Sequence, residues 1–434
     1  MSKKSQLLYN LTKRYLLFGY RRFYDSITVV GQGNLPSDNS ALIFAPNHLN
    51  ALMDALAVLY ILPKNSQVTF VAKADLFHSK FSSSLMQLAK ILPAYRKSDG
   101  IENLGKNENT FDQCVKSLQE GVPVGIMPEG GQGEKHYIRP LVKGIFRIAF
   151  EAQKQLGNNR HVKIVPIGID MKDLVKSSSE LIINIGKPID IQTYFEDYQA
   201  NPTITVNNIK RELNTALCDL TLHIPSKENY DIIKLICDIE GYRFTPKIGD
   251  KFPAYSKFLH RQKTAKKLLE IEEKEPSLMK EIENNVIILK ESLIKCKLKP
   301  AVFSSRKVTW IKLILELPLF ILGFITNFLP MQLPIWIRRK ITVEYDGFFS
   351  SIHFGLGLIL FPLLYFFQAY LFYIWVGGKM VYSIIFFFTQ FLFRKPAIKW
   401  WKNYKIFSKK KTLNKLGKNI TDIDFFSTSY LSNN

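Results

Sequence analysis

Four short segments hold residue types that carry reaction chemistry. The first is Pro46-Asn47-His48-Leu49-Asn50-Ala51-Leu52-Met53-Asp54, directly after a β-rich run. Asn50 is placed to cap a following helix, which leaves His48 on a loop and Asp54 in the first turns, where the helix dipole favours a carboxylate. On a regular helix the steps from His48 to Asp54 would turn the two side chains about 240° apart, so the histidine has to lie off the helix. A histidine held by a carboxylate is a general base. The carboxylate selects the tautomer and stabilises the imidazolium formed when the ring takes a hydroxyl proton. The same residues also read as a plain capping loop with a hydrogen-bonded histidine.

Three further segments lie downstream. Pro93-Ala94-Tyr95-Arg96-Lys97 sets two cations side by side after a helical stretch. Arg96 can bind a phosphate bidentately with Lys97 as a helper, although a solvated basic pair looks the same. Ile126-Met127-Pro128-Glu129-Gly130-Gly131-Gln132-Gly133-Glu134 ends another β-rich run, the place where open α/β sheets bind ligands. Its glycines let backbone amides approach a phosphate or an oxyanion, or simply make a turn. Ile164-Val165-Pro166-Ile167-Gly168-Ile169 reads as a strand with a conformational break.

The frame for these segments runs from residue 31 to about 202. Leu42–Ala45, Val68–Val71, Val122–Ile126, Lys163–Val165 and Leu181–Ile185 read as buried strands, and 103–120 and 142–156 as helices. Such alternation is the pattern of an α/β layer fold. From 203 to 307 the chain turns helical and charged, with Leu268, Leu269, Ile271, Leu278, Ile282, Val286, Leu289 and Leu293 as the expected buried stripe. Cys114, Cys218, Cys237 and Cys296 show neither metal nor disulfide spacing and read as reduced structural residues.

Charge and hydropathy point to a membrane. The 434 residues carry 59 Lys and Arg against 37 Asp and Glu, a net charge of +22, while 47% are hydrophobic and 13% aromatic. A disordered or collagen-like chain is thereby excluded, and an anionic partner is expected. Nucleic acid is not the expected one, because no RNP, zinc-finger or similar motif accompanies the charge. Residues 1–30 read as a basic amphipathic interfacial helix, with Leu7, Leu8, Leu11, Tyr15, Phe18 and Arg22 near helical spacing; packing on the domain behind it is an equal alternative. Lys13, Arg14, Arg21 and Arg22 interrupt its apolar run, so it does not read as a secretory signal.

Residues 308–395 read as a membrane region. Phe354–Val376 has no charged residue and Met380–Phe393 continues apolar after a Gly377-Gly378-Lys379 turn, so 347–393 is expected to form a transmembrane hairpin. Pro318, Pro330 and Pro334 interrupt 313–337, for which a re-entrant or interfacial element is expected. Residues 396–434 form a Lys-rich tail. With Arg338, Arg339 and Lys340 before the hairpin, that tail places both flanks, and the α/β domain, on the cytoplasmic face.

Taken in order, His48 and Asp54, Arg96, Pro128-Glu129-Gly130 and Val165-Pro166 resemble the blocks of the glycerolipid acyltransferase family, the PlsC-type phospholipid and glycerol acyltransferases. Residues 40–190 carry the resemblance, including Pro140-Leu141-Val142-Lys143-Gly144-Ile145 and Gly186-Lys187-Pro188-Ile189. Two features differ from the usual pattern. Five residues separate His48 from Asp54 where the family usually has four, and Gly131 stands where Thr or Ser is common. A His-x5-Asp block containing Asn resembles the variant of some glycerol-3-phosphate and dihydroxyacetone-phosphate acyltransferases.

The resemblance implies a PlsC-type domain with a mixed central sheet flanked by helices. It also implies direct acyl transfer from acyl-CoA or acyl carrier protein to a phosphorylated glycerol acceptor. His48 would be the base and Asp54 its orienting partner. Arg96 and Lys97 would bind the acceptor phosphate, Glu129, Gly130 and Gly131 would shape the glycerol site, and Lys143 would be a further contact. No metal or prosthetic group is implied, and membrane lipids are the expected surroundings. A non-catalytic membrane scaffold with the same fold is the alternative, and a hydrolase is disfavoured because no GxSxG elbow occurs.

Overall fold

The computed structural model describes residues 3–95, 105–343 and 345–415. They fall into two compact units. The first comprises the described residues up to His223 together with Ile341–Gly355, and the second the remainder.

The first unit is built on a mixed sheet. Its strands are β1 (Ser26–Val30), β2 (Ala41–Pro46), β3 (Thr69–Lys73), β4 (Ile91–Ala94), β5 (Val124–Gly125), β6 (Val162–Met171), β7 (Glu180–Ile185) and β8 (Ile189–Asp190). They are ordered β1-β7-β6-β2-β5-β3-β4, with β8 also on β6. From β6 to β4 every neighbouring pair is parallel, whereas β7 runs antiparallel to β6 and β1 lies parallel to β7.

Parallel neighbours require crossovers. Helices α2 (Ala51–Ile61), α3 (Lys80–Leu88), α4 (Asn107–Gln119) and α5 (Gly144–Leu156) supply them between successive strands from β2 to β6. The consequence for function is geometric. The chain leaves β2, β4 and β5 at their carboxyl ends, and in a parallel run these ends share one edge of the sheet.

Several boundaries differ from those expected. β1 lies within residues 1–30 and pairs with β7 from Ser26 to Val30, so the α/β unit begins before residue 31. β6 is not broken at Pro166–Gly168. That stretch is where its outer edge exchanges β8 for β7, while Ala41–Pro46 of β2 stays paired along the other edge. Helix α6 (Phe195–Ala200) leads into α7 (Pro202–Leu220), which belongs to the first unit rather than to a helical segment starting at 203. The reason is burial: Ile209, Leu213 and Leu217 are fully buried in one core with Ile43, Ile164, Phe146 and Phe150, and each such side chain contributes about 1.5–3 kcal/mol over exposure.

Helix α1 (Lys3–Phe23) precedes the sheet and has two unlike faces. Tyr9, Lys13, Tyr20 and Phe23 are buried, whereas Leu7, Leu8, Leu11, Tyr15 and Phe18 are exposed. Half of the helix is therefore committed to the protein and half is not.

The second unit is helical. Helices α8 (Tyr230–Arg243), α9 (Pro253–Lys274) and α10 (Pro276–Lys295) bury Ile233, Ile236, Phe258, Leu268, Val286, Leu289 and Leu293. Leu269 and Leu278 of the expected stripe are half-buried, and Met279 takes the buried position beside Leu278. All four cysteines are unpaired, and burial pushes the thiols of Cys114 and Cys237 up to about 12. At neutral pH they are inert.

Helix α11 (Trp310–Arg338) is continuous through Pro318, Pro330 and Pro334, so the prolines expected to interrupt this re-entrant or interfacial segment do not break its helix. Neighbouring helices hold it in shape. Gly323 lies on the backbone of Phe393, Trp400 Nε1 donates to Leu313 O at 2.7 Å, and Asn327 Nδ2 donates to Gln390 O at 3.2 Å. Helices α12 (Gly347–Trp375) and α13 (Met380–Lys415) are joined by the Gly377-Gly378 turn, with Phe372 stacked on Phe386 and Phe366 on Phe387. Basic residues from Arg394 to Lys415 continue α13, so the tail expected from 396 is helical as far as it is described. By length and composition α11 and α12 are long and apolar enough to cross a membrane.

Lys13 gives a test of how α1 is held. Its ammonium is buried, donates to Pro63 O at 3.0 Å and Ser66 O at 2.7 Å, and is pushed down to about 8 by burial. Between that value and the ordinary lysine range the unfolded chain keeps a proton that the folded chain has lost, so stability rises with pH across the window. Thermal unfolding of wild type should gain on Lys13→Met between pH 8 and 10, by at most about 3 kcal/mol. An unchanged difference between the two proteins would refute this account of Lys13.

Candidate active site

His48 sits on the loop between β2 and α2. What turns the chain out of the sheet is Asn47, whose side chain imitates one more peptide of the ladder. Its Nδ2 donates to Ile169 O at 3.1 Å and its Oδ1 accepts from Ile169 N at 2.6 Å. The sheet pattern is thus completed by a side chain, and the next residue is released from it.

The imidazole then meets its carboxylate. His48 Nδ1 donates to Asp54 Oδ2 at 3.0 Å, with Asp54 fully buried and the His48 side chain 17% exposed. The same oxygen accepts from Leu49 N at 2.9 Å and Asn50 N at 2.7 Å. Asp54 therefore holds, from inside α2, the amides of the two residues that precede the helix. Asn50 occupies the N-cap position without making a side-chain cap, contrary to the role expected for it. Ala51, the first residue of α2, takes φ +35°. Such a backbone costs a non-glycine residue about 1–3 kcal/mol and persists only where the surroundings impose it.

With Nδ1–H committed to Asp54, Nε2 is the basic nitrogen of the neutral ring, and it has no protein partner among the described residues. Beneath the pair lie Tyr20 and Tyr24, whose phenols are pushed well above the ordinary tyrosine range by burial first, Asp54's charge adding to it. Tyr20 is thereby a neutral donor, and it bonds Met53 O at 3.0 Å.

The third segment grips the His48 loop, because β5 and β2 are adjacent and parallel. Glu129 Oε1 accepts from His48 N at 2.8 Å, Gly133 N donates to His48 O at 3.0 Å, and Gln132 Nε2 donates to Leu49 O at 3.3 Å. Glu129 Oε2 accepts from Arg139 N at 3.2 Å and Nε at 3.1 Å, and Arg139 also donates to Gly131 O. The Glu129 carboxylate is thus occupied by the protein, and its observed work is positional. Gly130 makes the turn at φ +67°, where an added Cβ would lie 2.7 Å from Val142 Cγ1.

Lys143 stands exposed at the N-cap of α5. Arg96 and Lys97 lie outside the described residues. β4 ends at Ala94 on the sheet edge that β2 and β5 share, just before that pair. Asn47, Gln132 and Arg139 were not legible as site residues, since their duty is to backbone groups of a loop remote in sequence and no spacing announces it.

Known proteins resemble this unit. Residues 26–170 match the family model described as Acyltransferase. The glycerol-3-phosphate O-acyltransferase 2 of Saccharomyces cerevisiae is 28% identical over 131 residues, which are 30% of this chain and 17% of that protein's length. The 1-acyl-sn-glycerol-3-phosphate acyltransferase of Bacillus subtilis is 28% identical over 165 residues, 38% of this chain and 73% of its own. Among solved structures, the 1-acyl-sn-glycerophosphate (LPA) acyltransferase PlsC of Thermotoga maritima gives a TM-score of 0.36 at 16% identity, covering 51% of this chain and 84% of that one.

The Glu129 clamp can be tested through stability. Glu129→Ala leaves the His48 amide and the Arg139 guanidinium without their carboxylate, which should cost about 2–4 kcal/mol in thermal unfolding. Glu129→Gln keeps an acceptor and should cost less than half as much; equal losses would show that the charge itself, not the bridge, holds the loop. The stretch of the α/β unit that matches the Acyltransferase family model, residues 26–170, is the one that holds His48, Asp54, Glu129 and Val165-Pro166.

Proposed function

We propose that the protein is a membrane-bound O-acyltransferase. It moves a fatty acyl group from acyl-CoA or acyl carrier protein to the hydroxyl of glycerol 3-phosphate in phosphatidic acid synthesis. Dihydroxyacetone phosphate and 1-acylglycerol 3-phosphate are acceptors of the same chemistry. One observation carries this reading: an imidazole held through Nδ1 by a buried carboxylate, with Nε2 open.

In the proposed reaction Nε2 of His48 takes the proton of the acceptor hydroxyl as its oxygen attacks the thioester carbonyl. The tetrahedral intermediate collapses, the carbon–sulfur bond breaks, and the imidazolium returns its proton to the departing thiolate. Asp54 stabilises the imidazolium between these steps. Neither a metal nor a prosthetic group is required, and no acyl-enzyme forms. Arg96 and Lys97 are assigned to the acceptor phosphate, Glu129, Gly130 and Gly131 to shaping the acceptor site, and Lys143 to a further contact.

The apolar helix α12 with its hairpin turn to α13, and an α11 that is embedded without spanning, support a membrane-embedded protein. The basic residues from Arg394 to Lys415 and at 338–340 favour a cytoplasmic catalytic domain. The exposed Leu7, Leu8, Leu11, Tyr15 and Phe18 of α1 suit the headgroup boundary. An integral protein should stay in the pellet after high-salt and alkaline carbonate washing. Release by either would sink the spanning assignment.

Membranes holding wild type or His48→Ala, given labelled acyl-CoA or acyl carrier protein with each of the three acceptors, test the reaction. His48→Ala should lose at least about 100-fold in turnover while remaining folded, and Asp54→Asn about 100- to 10,000-fold. Full activity of His48→Ala would overturn the dyad. Folded wild type that transfers to no acceptor would favour the scaffold reading.

A further inference from the structure

The His48 loop has a third support, from a part of the chain some 300 positions away. The segment Ile341–Gly355, which opens helix α12, belongs to the same compact unit as the sheet. Asp346 N donates to Glu134 Oε1 at 2.9 Å, at the end of the loop that clamps His48. One residue on, Gly347 packs so closely that an added Cβ would lie 2.5 Å from Leu49 O and 2.4 Å from Gln132 Nε2. The carbonyl of Leu49 is the next after that of His48, and Gln132 bonds it.

Ser350 completes the contact. It is 1% exposed, and its single hydroxyl proton lies between Asn50 Oδ1 at 2.5 Å and Gly347 O at 3.0 Å. Asn50 cannot turn its amide to evade this bond, because Nδ2 donates to Leu174 O at 2.9 Å on the opposite side. Asn50 is fully buried and precedes Ala51, whose positive φ needs an external constraint. Further along α12, Phe354 is 2% exposed and packs edge-on to Tyr20, which bonds Met53 next to Asp54. The opening of α12 therefore reaches both ends of the dyad.

We propose that Gly347 and Ser350 are positioning residues for the His48–Asp54 pair, so that the catalytic unit is completed by the first turns of the apolar helix. This rests on the acyltransferase reading. Neither residue lies in the 26–170 stretch that matches the family model. A chain cut before residue 341 would keep every motif and lose the fit of the loop.

The test uses the full-length protein in membranes. Ser350→Ala should lower kcat about tenfold with acceptor KM within about twofold, and Ser350→Thr, which keeps the hydroxyl, should restore most of it. Gly347→Ala should cost about 100-fold, the loss that roughly 1 Å of misplacement produces. Gly355→Ala is the control, since nothing lies within 4 Å of an added Cβ there, and it should match wild type in kinetics and unfold no earlier on heating.

Wild-type rates in Ser350→Ala and Gly347→Ala, measured against a wild type whose transfer depends on His48, would overturn the proposal and leave the acyltransferase reading intact. Transfer that does not depend on His48 would fail that reading instead. If Gly347→Ala does not fold, Ser350→Ala and its threonine rescue decide alone. A loss in Ser350→Ala that threonine does not rescue, or that comes with an equal rise in KM, also counts against positioning.

Discussion

A fully buried carboxylate has to be compensated by donors, and around Asp54 that requirement organises the site. Its Oδ2 collects His48 Nδ1–H and the amides of Leu49 and Asn50. Three donors on one oxygen, with the dipole of α2 behind them, keep an anion where an isolated charge would cost several kcal/mol. The loop and the helix start cannot separate without stripping the carboxylate of those partners. Tyr20 and Tyr24, held neutral by burial and by Asp54's charge, close the space beneath it.

The sheet explains why other segments converge on this point. β2 lies between β6 and β5, and all three run parallel, so the loops that leave β2 and β5 emerge at one edge. From β6 comes Ile169, which Asn47 engages to leave the sheet, and from beyond β5 comes Glu129, which bonds the His48 amide. A loop tied by backbone bonds on both flanks presents its histidine with little freedom. Such preorganisation is what a general base requires. In the proposed reaction the motif residues are thus divided between one group that handles protons and several that hold it still.

The apolar helices obey a different balance. Prolines that would break a helix in water are carried by α11 beside α13, where close packing at Gly323 and bonds from Trp400 and Asn327 maintain the helix. α1 shows the same economy in reverse. One face supplies Tyr9, Lys13 and Tyr20 to the fold, and the other leaves a run of leucine and aromatic residues uncovered.

Much of this was determined by sequence alone. The order of His48, Asp54, Pro128-Glu129-Gly130 and Val165-Pro166, the alternation of strand and helix, and the apolar runs of α12 and α13 are local patterns, and local patterns are set by residue type and spacing. Asn50 was legible as standing at the helix start but not in its duty, because a cap and a cross-chain acceptor share one residue type. β1 and β4 were missed because four or five residues show no distinct period, and α7 was placed with the wrong unit because its apolar stripe does not say which core it enters. Only the tertiary structure decided that Glu129 bonds the His48 amide, that Asn47 extends a strand, and that Gly347 and Ser350 close on a loop 300 positions earlier. Those contacts depend on which strand ends share an edge and which backbones touch, and no spacing in one dimension encodes that.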